Sequence, residues 1–511
     1  MSFFNLTEYF VDRHSREGRS HKAAIQYGDR TATYGEVAAQ VNRFGNGLLR
    51  LGLQEEQRVL LVLPDCAEFV IAYFGTMKVG AVAVPTTTAA RASDYDHFLT
   101  ESRARILVID STLFHEVAPV LSSQHHLRQV IVTGDPKPGC LHWDEWLAGN
   151  PPELDAAKTT EDDVAFWLWT SGSTGRPKAV VHLHRDWMVC CENYALEILG
   201  IGPDDVTFSS SKLFHAYGLG NGLMFPFHAG ATTVLFPGKP KAKAILEIAQ
   251  RTRPTLFFSV PTLYALMLQE AEGESYCLDS VRLAVSAAEP LPAEIFRRWQ
   301  RQFGMEILDG IGSTEVLHIY LSARQGKVKA GSTGSAVRGY KLRIVDSDEQ
   351  DVPEGTIGDL LVAGESIAPC YWNRQELTAE RMRGRWFFTG DKYRMDQDGY
   401  YWYAGRSDDM FRVSGQWISP VEIESVLIEH ENVLEAAAVA YREPNGLFTP
   451  KAFVVLRESI AATPELAQEL QEFVRGRITP YKYPRRIEFI EKLPKSAAGK
   501  LLRYKLRDLE A

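Results

Sequence analysis

Short apolar runs alternate with longer amphipathic stretches in this sequence, and that alternation constrains its fold more than any other feature. Val59 to Leu63 and Ala81 to Val84 are apolar runs of strand length. Tyr34 to Leu51 and Cys66 to Lys78 have the residue spacing of helices. Strands that are apolar throughout and alternate with helices are typical of a parallel sheet covered on both faces. We therefore predict an α/β fold.

The pattern changes along the chain in a way that indicates several structural units. It resumes at the buried strand Val164 to Trp169, after a loop at 150–163 that is rich in proline and acidic residues. From Gly331 to Tyr403 the predicted strands are short and glycines are frequent, which indicates a β-rich subdomain. We predict a large N-terminal domain, residues 1–407, of two α/β layers and this subdomain. A small α+β domain, residues 408–511, follows.

Length, charge and cysteine use narrow the class of protein. A chain of 511 residues is too long for one compact core. Its 56 Lys and Arg against 65 Asp and Glu give a net charge of −9, which disfavours nucleic acid as a partner. The six cysteines form no CxxC pair and the N-terminus lacks a secretory signal, so we expect a cytoplasmic protein. Phe69 to Val84 is too short and too interrupted for a membrane span.

A run of small hydroxyl residues and glycines follows the strand at 164–169. Its members are Thr170, Ser171, Gly172, Ser173, Thr174, Gly175, Arg176, Pro177 and Lys178. Small residues let the backbone wrap around an anion, and Lys178 adds a positive charge. The run differs from the GK[ST] loop of P-loop proteins, because Pro177 keeps Arg176 out of helical geometry. We favour a phosphate-binding loop over a plain surface turn.

A second stretch, Asp309-Gly310-Ile311-Gly312-Ser313-Thr314-Glu315, places a carboxylate beside a hydroxyl at what we predict to be a glycine-loosened turn. Mg²⁺ commonly binds one or two carboxylates and completes its shell with water and phosphate oxygens. A simple helix start capped by Ser313 or Thr314 explains this stretch equally well when it is taken alone.

Two polar groups near the end of the chain complete the set of motifs. Asp391, in Thr389-Gly390-Asp391, could accept hydrogen bonds from two ribose hydroxyls, and Arg406 could meet the same ribose or a phosphate. Lys500 closes a Pro-Lys-Ser-Ala-Ala-Gly-Lys segment. Taken singly, Asp391 is explained as a turn residue and Lys500 as a solvated lysine.

In this order the motifs resemble those of the adenylate-forming superfamily of acyl- and aryl-CoA ligases, nonribosomal peptide adenylation domains and beetle luciferases. The resemblance spans about Tyr34 to Arg503. Within the superfamily the sequence is most similar to benzoate–CoA ligases, through the segments Phe214–Asn221, Asp309–His318 and Val413–Pro420.

The resemblance implies an AMP-forming aryl-CoA ligase that uses ATP, Mg²⁺ and coenzyme A. An aromatic acid would form an aryl-adenylate, and its acyl group would then pass to the CoA thiol. The loop 170–178 would bind the β- and γ-phosphates, Thr314 the α-phosphate and Glu315 the Mg²⁺. Asp309, Gly310 and Ile311 would lie in the ATP site, Asp391 and Arg406 would hold the ribose, and Lys500 would bridge the carboxylate and the α-phosphate.

The resemblance also implies an acid pocket and a moving C-terminal domain. The pocket residues are His215, Ala216, Tyr217, Ala287, Ala288, Gly310, Ile311 and His318. The small domain would rotate about Asp408 and bring Gly415 to a CoA tunnel. We expect 2-aminobenzoate (anthranilate) or a hydroxybenzoate as the acid. We therefore expect small molecules as partners and neither nucleic acid nor a membrane. The protein could form a homodimer.

Two other functions share these motifs. A stand-alone aryl acid adenylation enzyme would load a carrier protein in place of CoA. A binding protein on an inactive scaffold is disfavoured, because Lys178, Glu315, Asp391 and Lys500 are all present.

Overall fold

The computed structural model describes residues 3–170, 176–273, 275–413, 416–443, 448–458, 460–479, 481–495 and 501–508. The strands of these residues are β1 Ala23–Tyr27, β2 Arg30–Thr33, β3 Arg58–Val62, β4 Val82–Pro85, β5 Ile106–Asp110, β6 Gln129–Thr133, β7 Leu141–His142, β8 Val164–Thr170, β9 Lys178–Leu183, β10 Val206–Ser209, β11 Thr232–Leu235, β12 Leu256–Ser259, β13 Leu283–Ser286, β14 Ile307–Gly312, β15 Ile319–Ser322, β16 Ser335–Ala336, β17 Lys341–Val345, β18 Gly358–Ala363, β19 Met382–Arg383, β20 Trp386–Met395, β21 Tyr401–Arg406, β22 Phe411–Val413, β23 Gln416–Ile418, β24 Val433–Arg442, β25 Phe448–Leu456 and β26 Arg486–Phe489.

The α-helices are α1 Arg13–Arg16, α2 Tyr34–Arg50, α3 Ala67–Lys78, α4 Ala92–Ser102, α5 Phe114–Val117, α6 Trp143–Ala148, α7 Asp186–Cys190, α8 Ala216–Leu219, α9 Phe225–Ala229, α10 Ala242–Thr252, α11 Pro261–Glu270, α12 Ala293–Phe303, α13 Gln375–Arg381, α14 Pro420–Ile428, α15 Pro464–Arg475 and α16 Arg503–Asp508. Glu8–Asp12, Cys191–Leu196 and Gly220–Met224 are π-helical, and Ala118–Ser123 and Thr314–Val316 are 3₁₀ turns. None of the helices in the described part of the chain is both long and apolar enough to span a membrane.

Two large sheets form the N-terminal part. The first has seven strands in the order β7-β6-β5-β3-β4-β8-β9 and is parallel except at the β8–β9 pair. The second has nine strands in the order β16-β15-β14-β13-β12-β10-β11-β1-β2. Its centre is parallel, and its two ends carry antiparallel strands. The predicted α/β fold with two layers is confirmed.

The remaining sheets are smaller and antiparallel for the most part. Strands β17 to β21 form a five-stranded sheet, which matches the predicted β-rich subdomain. In the C-terminal part, β24, β25 and β26 form a three-stranded sheet beside the β22–β23 pair. Helices α14 and α15 pack on this unit around buried Ile423, Leu427 and Leu470, so it has an apolar cluster of its own.

One core joins the two large sheets. Buried Leu61 of β3, Phe166 of β8 and Val285 of β13 belong to the same apolar cluster as Phe44 of α2 and Phe74 of α3. Local sequence sets up these helices. For example, the Thr33 side chain caps α2 by accepting from the Glu36 amide, while the Glu36 carboxylate accepts from the Thr33 amide.

One predicted turn is wrong. Asp309 to Gly312 belong to β14, because Gly310 and Ile311 pair with Ser322 and Leu321 of β15, and the turn begins only at Ser313. A Cβ at Gly310 would lie 3.0 Å from two carbon atoms of Ile319. The glycine therefore serves close packing of two strands and not a loose turn.

Candidate active site

The ends of the predicted phosphate loop are fixed opposite each other. Thr170 is the last residue of β8 and pairs with Lys178, the first residue of β9. His97 Nε2 lies 2.9 Å from the Pro177 carbonyl oxygen and anchors the second end. The central residues of this prediction lie outside the described residues; they are Ser171, Gly172, Ser173, Thr174 and Gly175.

The Thr314–Val316 turn is held at each of its three carbonyl groups. The carbonyl oxygen of Thr314 lies 2.8 Å from His182 Nε2, and that of Glu315 accepts from the Ala368 amide at 2.8 Å. Ser366 Oγ donates to the Val316 carbonyl at 2.7 Å. These contacts fix the backbone that carries the Thr314 and Glu315 side chains.

Ser313 caps the same turn. Its Oγ accepts from the Val316 amide at 3.2 Å, so of the two capping residues considered, Ser313 has this role. The cap does not exclude a phosphate site at the turn, because the Thr314 hydroxyl and the Glu315 carboxylate are not used in it.

Glu315 has one side-chain partner that the sequence motifs did not reveal. The phenol of buried Tyr371 donates to Glu315 Oε1 at 2.8 Å. Burial, and then the Glu315 charge, raise the pKa of Tyr371, so the phenol keeps the proton it donates. A single carboxylate beside a hydroxyl fits Mg²⁺ that is shared with phosphate oxygens.

Asp391 and Arg406 are neighbours across the β20–β21 pair. Arg406 Nη1 donates to Asp391 Oδ1 at 3.1 Å and to the Thr389 carbonyl at 3.0 Å. Gly390 has φ +77°, and a Cβ there would lie 2.9 Å from Arg406 Nη2. The glycine therefore allows both the backbone conformation and the approach of the guanidinium.

The buried Tyr320 phenol lies in the neighbourhood of these residues. Burial raises its pKa most, the charge of Asp391 raises it further, Arg406 lowers it and Glu315 raises it. Its hydroxyl oxygen is buried and has no hydrogen-bond partner among the described residues. No sequence motif singled out Tyr320.

The predicted pocket residues meet at the carboxyl ends of three parallel strands. The Tyr217 hydroxyl donates to the carbonyl groups of Ser259 at 3.2 Å and Val285 at 3.1 Å, at the ends of β12 and β13. Ala287 and Ala288 follow β13 directly, and Asp309 of β14 pairs with Ser286. Ligands commonly bind at such strand ends in open α/β sheets.

His318 is the most enclosed polar residue of this group. It is 2% exposed, and rings of Trp187, Tyr194, Tyr217 and Phe225 surround it at 4.5 to 6.3 Å between centroids. Burial lowers the pKa of His318 to about 3, so the ring is neutral at physiological pH. Neither nitrogen has a partner in hydrogen-bonding geometry among the described residues. The ring can therefore offer a donor and an acceptor to a ligand.

A Cβ at Gly220 would lie 2.5 Å from His318 Cδ2. A larger residue at position 220 would therefore clash with the His318 ring, and glycine lets the π-helical stretch Gly220–Met224 pack against it. Single π-helical turns occur frequently at functional sites.

The segment before α8 is held from the other sheet. Asp65 Oδ1 accepts from the Leu213 amide at 3.0 Å, and Lys212 forms a 3.3 Å ion pair with Asp65. His215 is the N-cap residue of α8, and its ring lies 4.5 Å from Phe214. Asp65 thus fixes the backbone two residues before His215, a role that the sequence motifs did not indicate.

Two further predicted residues have unusual environments. Ala288 has φ +75°, a conformation that costs energy for a non-glycine residue and that concentrates at functional sites. Burial raises the pKa of Asp309 well above its usual range, and its Oδ1 has no partner among the described residues. A protonated Asp309 can donate as well as accept.

Near the predicted hinge, the Asp408 carbonyl accepts from Arg507 Nη1 at 3.2 Å, and Asp409 pairs with Arg503 at 3.2 Å. Arg503 also contacts both carboxylate oxygens of Glu424, at 2.8 and 2.7 Å. Lys500 and Gly415 lie outside the described residues.

Comparisons with known proteins identify the family of this chain. The model of the family described as AMP-binding enzyme matches residues 11–372, and that of the AMP-binding enzyme C-terminal domain matches residues 422–500. The chain is 44% identical to a benzoate–CoA ligase of Thauera aromatica, over 99% of this chain and 96% of that protein. It is 42% identical to a 4-hydroxybenzoate–CoA/benzoate–CoA ligase of Rhodopseudomonas palustris, over 99% of this chain and 94% of that protein. A crystal structure of an anthranilate CoA ligase in complex with anthranoyl-AMP matches with a TM-score of 0.96 and 38% identity, covering 100% of this chain and 98% of that one.

Proposed function

Because the chain belongs to the AMP-binding enzyme family and is an AMP-forming ligase of aryl acids and CoA, we propose that its acid is a benzoate with a small polar ring substituent. We name 2-aminobenzoate or a hydroxybenzoate. Relatives of this chain include ligases of benzoate, of 4-hydroxybenzoate and of anthranilate, which supports this range.

One observation supports the assignment of both substrates to this site. Strand β14 carries Asp309, Gly310 and Ile311 and runs directly into the Thr314–Val316 turn. An acid bound at the end of β14 would therefore have its carboxylate close to a phosphate bound at Thr314. Proximity of this kind accounts for much of the acceleration in phosphoryl and nucleotidyl transfer.

In the first half-reaction a carboxylate oxygen of the acid attacks the α-phosphorus of ATP, and the bond to pyrophosphate breaks. We assign the Thr314 hydroxyl to the α-phosphate, Lys178 and the loop before it to the β- and γ-phosphates, and Lys500 to the carboxylate and α-phosphate. Asp391 and Arg406 would bind the ribose hydroxyls. Mg²⁺, when bound, would neutralise phosphate charge, and Glu315 is the residue that would hold it.

In the second half-reaction the CoA sulfur attacks the acyl carbon, and AMP leaves with the electron pair of the acyl–oxygen bond. We propose that residues 408–511 rotate about Asp408 between the two half-reactions and bring Gly415 to the CoA tunnel. The family model that matches residues 422–500 supports a separate C-terminal domain. A hinge needs only a few residues that accept changed φ and ψ.

The ring substituent is expected to meet a histidine. Both nitrogens of His318 lack a hydrogen-bond partner among the described residues, in a buried, aromatic-lined position, and His215 is the N-cap residue of the helix that carries Tyr217. A site whose polar group pairs with a substituent discriminates against the acid that lacks it, because the group is then left unpaired.

A panel of acids with CoA-dependent AMP release tests this proposal. Benzoate, 2-amino-, 2-hydroxy-, 3-hydroxy- and 4-hydroxybenzoate are compared with hexanoate as the non-aromatic control. We expect the highest kcat/KM for a substituted benzoate and the lowest for hexanoate. A preference for hexanoate would contradict the aryl pocket, and AMP release with a carrier protein but without CoA would favour the carrier-loading function instead.

A further inference from the structure

A buried histidine and aspartate lie directly behind the Thr314–Val316 turn. His182 Nδ1 lies 2.8 Å from Asp186 Oδ2, and both side chains have 0% exposure. On the other side of the ring, His182 Nε2 lies 2.8 Å from the Thr314 carbonyl oxygen. The chain of contacts from Asp186 through His182 thus ends on the backbone of the predicted α-phosphate residue.

The two neighbours of His182 determine where its protons are. A carbonyl oxygen only accepts, so Nε2 must carry a hydrogen and donate it to Thr314. One further proton lies between Nδ1 and Asp186 Oδ2. The partner of one ring nitrogen sets the state of the other, so Asp186 controls the donor that faces Thr314.

The ring has little freedom to leave this orientation. Asp186 Oδ2 also accepts from the Leu183 amide at 3.0 Å, which holds the carboxyl group in place. Phe166 stacks on the imidazole with 5.2 Å between centroids and 15° between planes. A buried polar pair costs free energy unless its hydrogen bonds are made. Packing alone therefore does not explain why a histidine and an aspartate occupy this place.

The same face of β9 carries other parts of the site. Residues two apart in a strand point to the same side, so Lys178, Val180 and His182 share a face. Val180 packs in one apolar cluster with Ala368 and Tyr371, the two residues that hold the backbone and the side chain of Glu315. Val180 and His182 therefore direct this face of β9 at the turn and at the residues that hold it.

We propose that His182, oriented by Asp186, is a positioning residue for adenylation. Its Nε2–H holds the Thr314 carbonyl so that the Thr314 hydroxyl and the Glu315 carboxylate face the phosphates of ATP. His182 touches no substrate and transfers no proton. This inference rests on the proposed function only in so far as Thr314 and Glu315 bind MgATP.

Two amide replacements separate the two contacts of the ring. The amide nitrogen of a glutamine reaches the place of Nε2, whereas that of an asparagine reaches only the place of Nδ1. In His182→Asn we expect the Kd for MgATP, measured by calorimetry without acid, to rise about tenfold, as loss of one buried hydrogen bond allows. In His182→Gln we expect a change of less than about threefold.

Kinetics provide a readout that a purely structural role would not change. His182→Asn should raise KM for MgATP and slow pyrophosphate release, while KM for the aryl acid stays within about twofold. Turnover of supplied aryl-adenylate with CoA should fall less than pyrophosphate release, because the adenylate keeps the α-phosphate but lacks the other two. Equal Kd values in the Asn and Gln variants, or equal losses in both half-reactions, would overturn the inference. The aryl-CoA yield of the unchanged enzyme tests the proposed function separately, because the calorimetric comparison needs no turnover.

Asp186→Asn provides a second variant if His182→Asn does not fold. In this variant the Leu183 amide donates a hydrogen bond, so the oxygen of the new side-chain amide takes the place of Asp186 Oδ2. That oxygen only accepts, so His182 Nδ1 must carry the proton. A neutral imidazole then has no proton on Nε2 to donate to the Thr314 carbonyl. We expect the same weakening of MgATP binding with a melting temperature close to that of the unchanged enzyme. MgATP affinity equal to that of the unchanged enzyme would refute the role of the pair.

Discussion

The phenol of Tyr371 donates a 2.8 Å hydrogen bond to Glu315 Oε1, although the two residues lie 56 positions apart. Glu315 is the carboxylate that we assign to Mg²⁺, so Tyr371 sets the direction of the proposed metal ligand. Groups that orient metal ligands usually matter nearly as much as the ligands themselves.

Tyr371→Phe should therefore raise KM for MgATP about tenfold, because a hydrogen bond to a charged group is lost. KM for the aryl acid should stay unchanged. Tyr400→Phe is the matched control, since Tyr400 also donates one hydrogen bond, 2.9 Å to the Lys327 carbonyl, but on the exposed surface. Equal effects of the two substitutions on KM for MgATP would contradict the role of Tyr371.

Lys500→Ala should abolish adenylation but not thioester formation. Removing a positive charge from the carboxylate and α-phosphate should slow acid-dependent pyrophosphate release by about a hundredfold or more. Supplied aryl-adenylate should still react with CoA. Lys505→Ala, at an exposed position of α16, is the control and should leave both rates unchanged. A similar loss in both half-reactions would remove Lys500 from its assigned role.

Asp408→Pro should slow thioester formation by at least about tenfold while adenylation continues, because proline fixes φ at the proposed hinge. The substitution breaks no backbone hydrogen bond of the Asp408 amide among the described residues, since the turn is closed by the Asp409 and Met410 amides on the Arg406 carbonyl. Asp408→Ala controls for loss of the carboxylate. Full CoA ligase activity of the proline variant would show that no rotation about Asp408 is needed.

His215→Phe should shift the preference toward unsubstituted benzoate. The ratio of kcat/KM for benzoate to that for 2-aminobenzoate should rise about tenfold, because a polar partner of the substituent is replaced by an apolar ring. The measurement compares benzoate with 2-amino-, 2-hydroxy- and 4-hydroxybenzoate in both proteins. An unchanged order would mean that His215 only packs beside Phe214 or controls entry to the pocket.

His228→Phe should stabilise the protein more at pH 5 than at pH 8. Burial, and then the charge of Arg13, lower the pKa of His228 from 6.5 to about 4. The unfolded chain therefore binds the proton more readily, and the native protein loses stability as pH falls from about 6.5 toward 4. Phenylalanine removes this loss, so the gain in unfolding free energy should be about 2 kcal/mol larger at pH 5. Denaturant titrations at both pH values measure it, and an equal gain at the two values would refute the prediction.

The sequence alone determined the local elements and the chemical parts of the site. The pattern of apolar residues predicted α2 and α3 and the strands β3 and β4 to within one or two residues, because burial of a face acts locally along a helix or strand. Thr314, Glu315, Asp391 and Arg406 could be named because each stands in a short motif. Residue type and spacing within a motif do not depend on distant contacts.

Tertiary structure decided which distant residues complete the site. Tyr371, His182 and Asp65 stand in no motif, yet they hold Glu315, the Thr314 backbone and the segment before His215. His182 and Thr314 are 132 positions apart, and Asp65 and Leu213 are 148 apart. Which strand ends meet depends on the order of strands in two sheets, and local patterns do not contain that order.

Pairing between strands also overrode a local preference. The glycines of Asp309 to Gly312 favour a turn on their own, but β15 pairs with them and makes them the end of β14. The identity of the groups that would meet ATP and the acid could thus be predicted from the sequence. Their positions follow from long-range strand pairing and from buried hydrogen bonds, which form only when the two sheets have closed on one core.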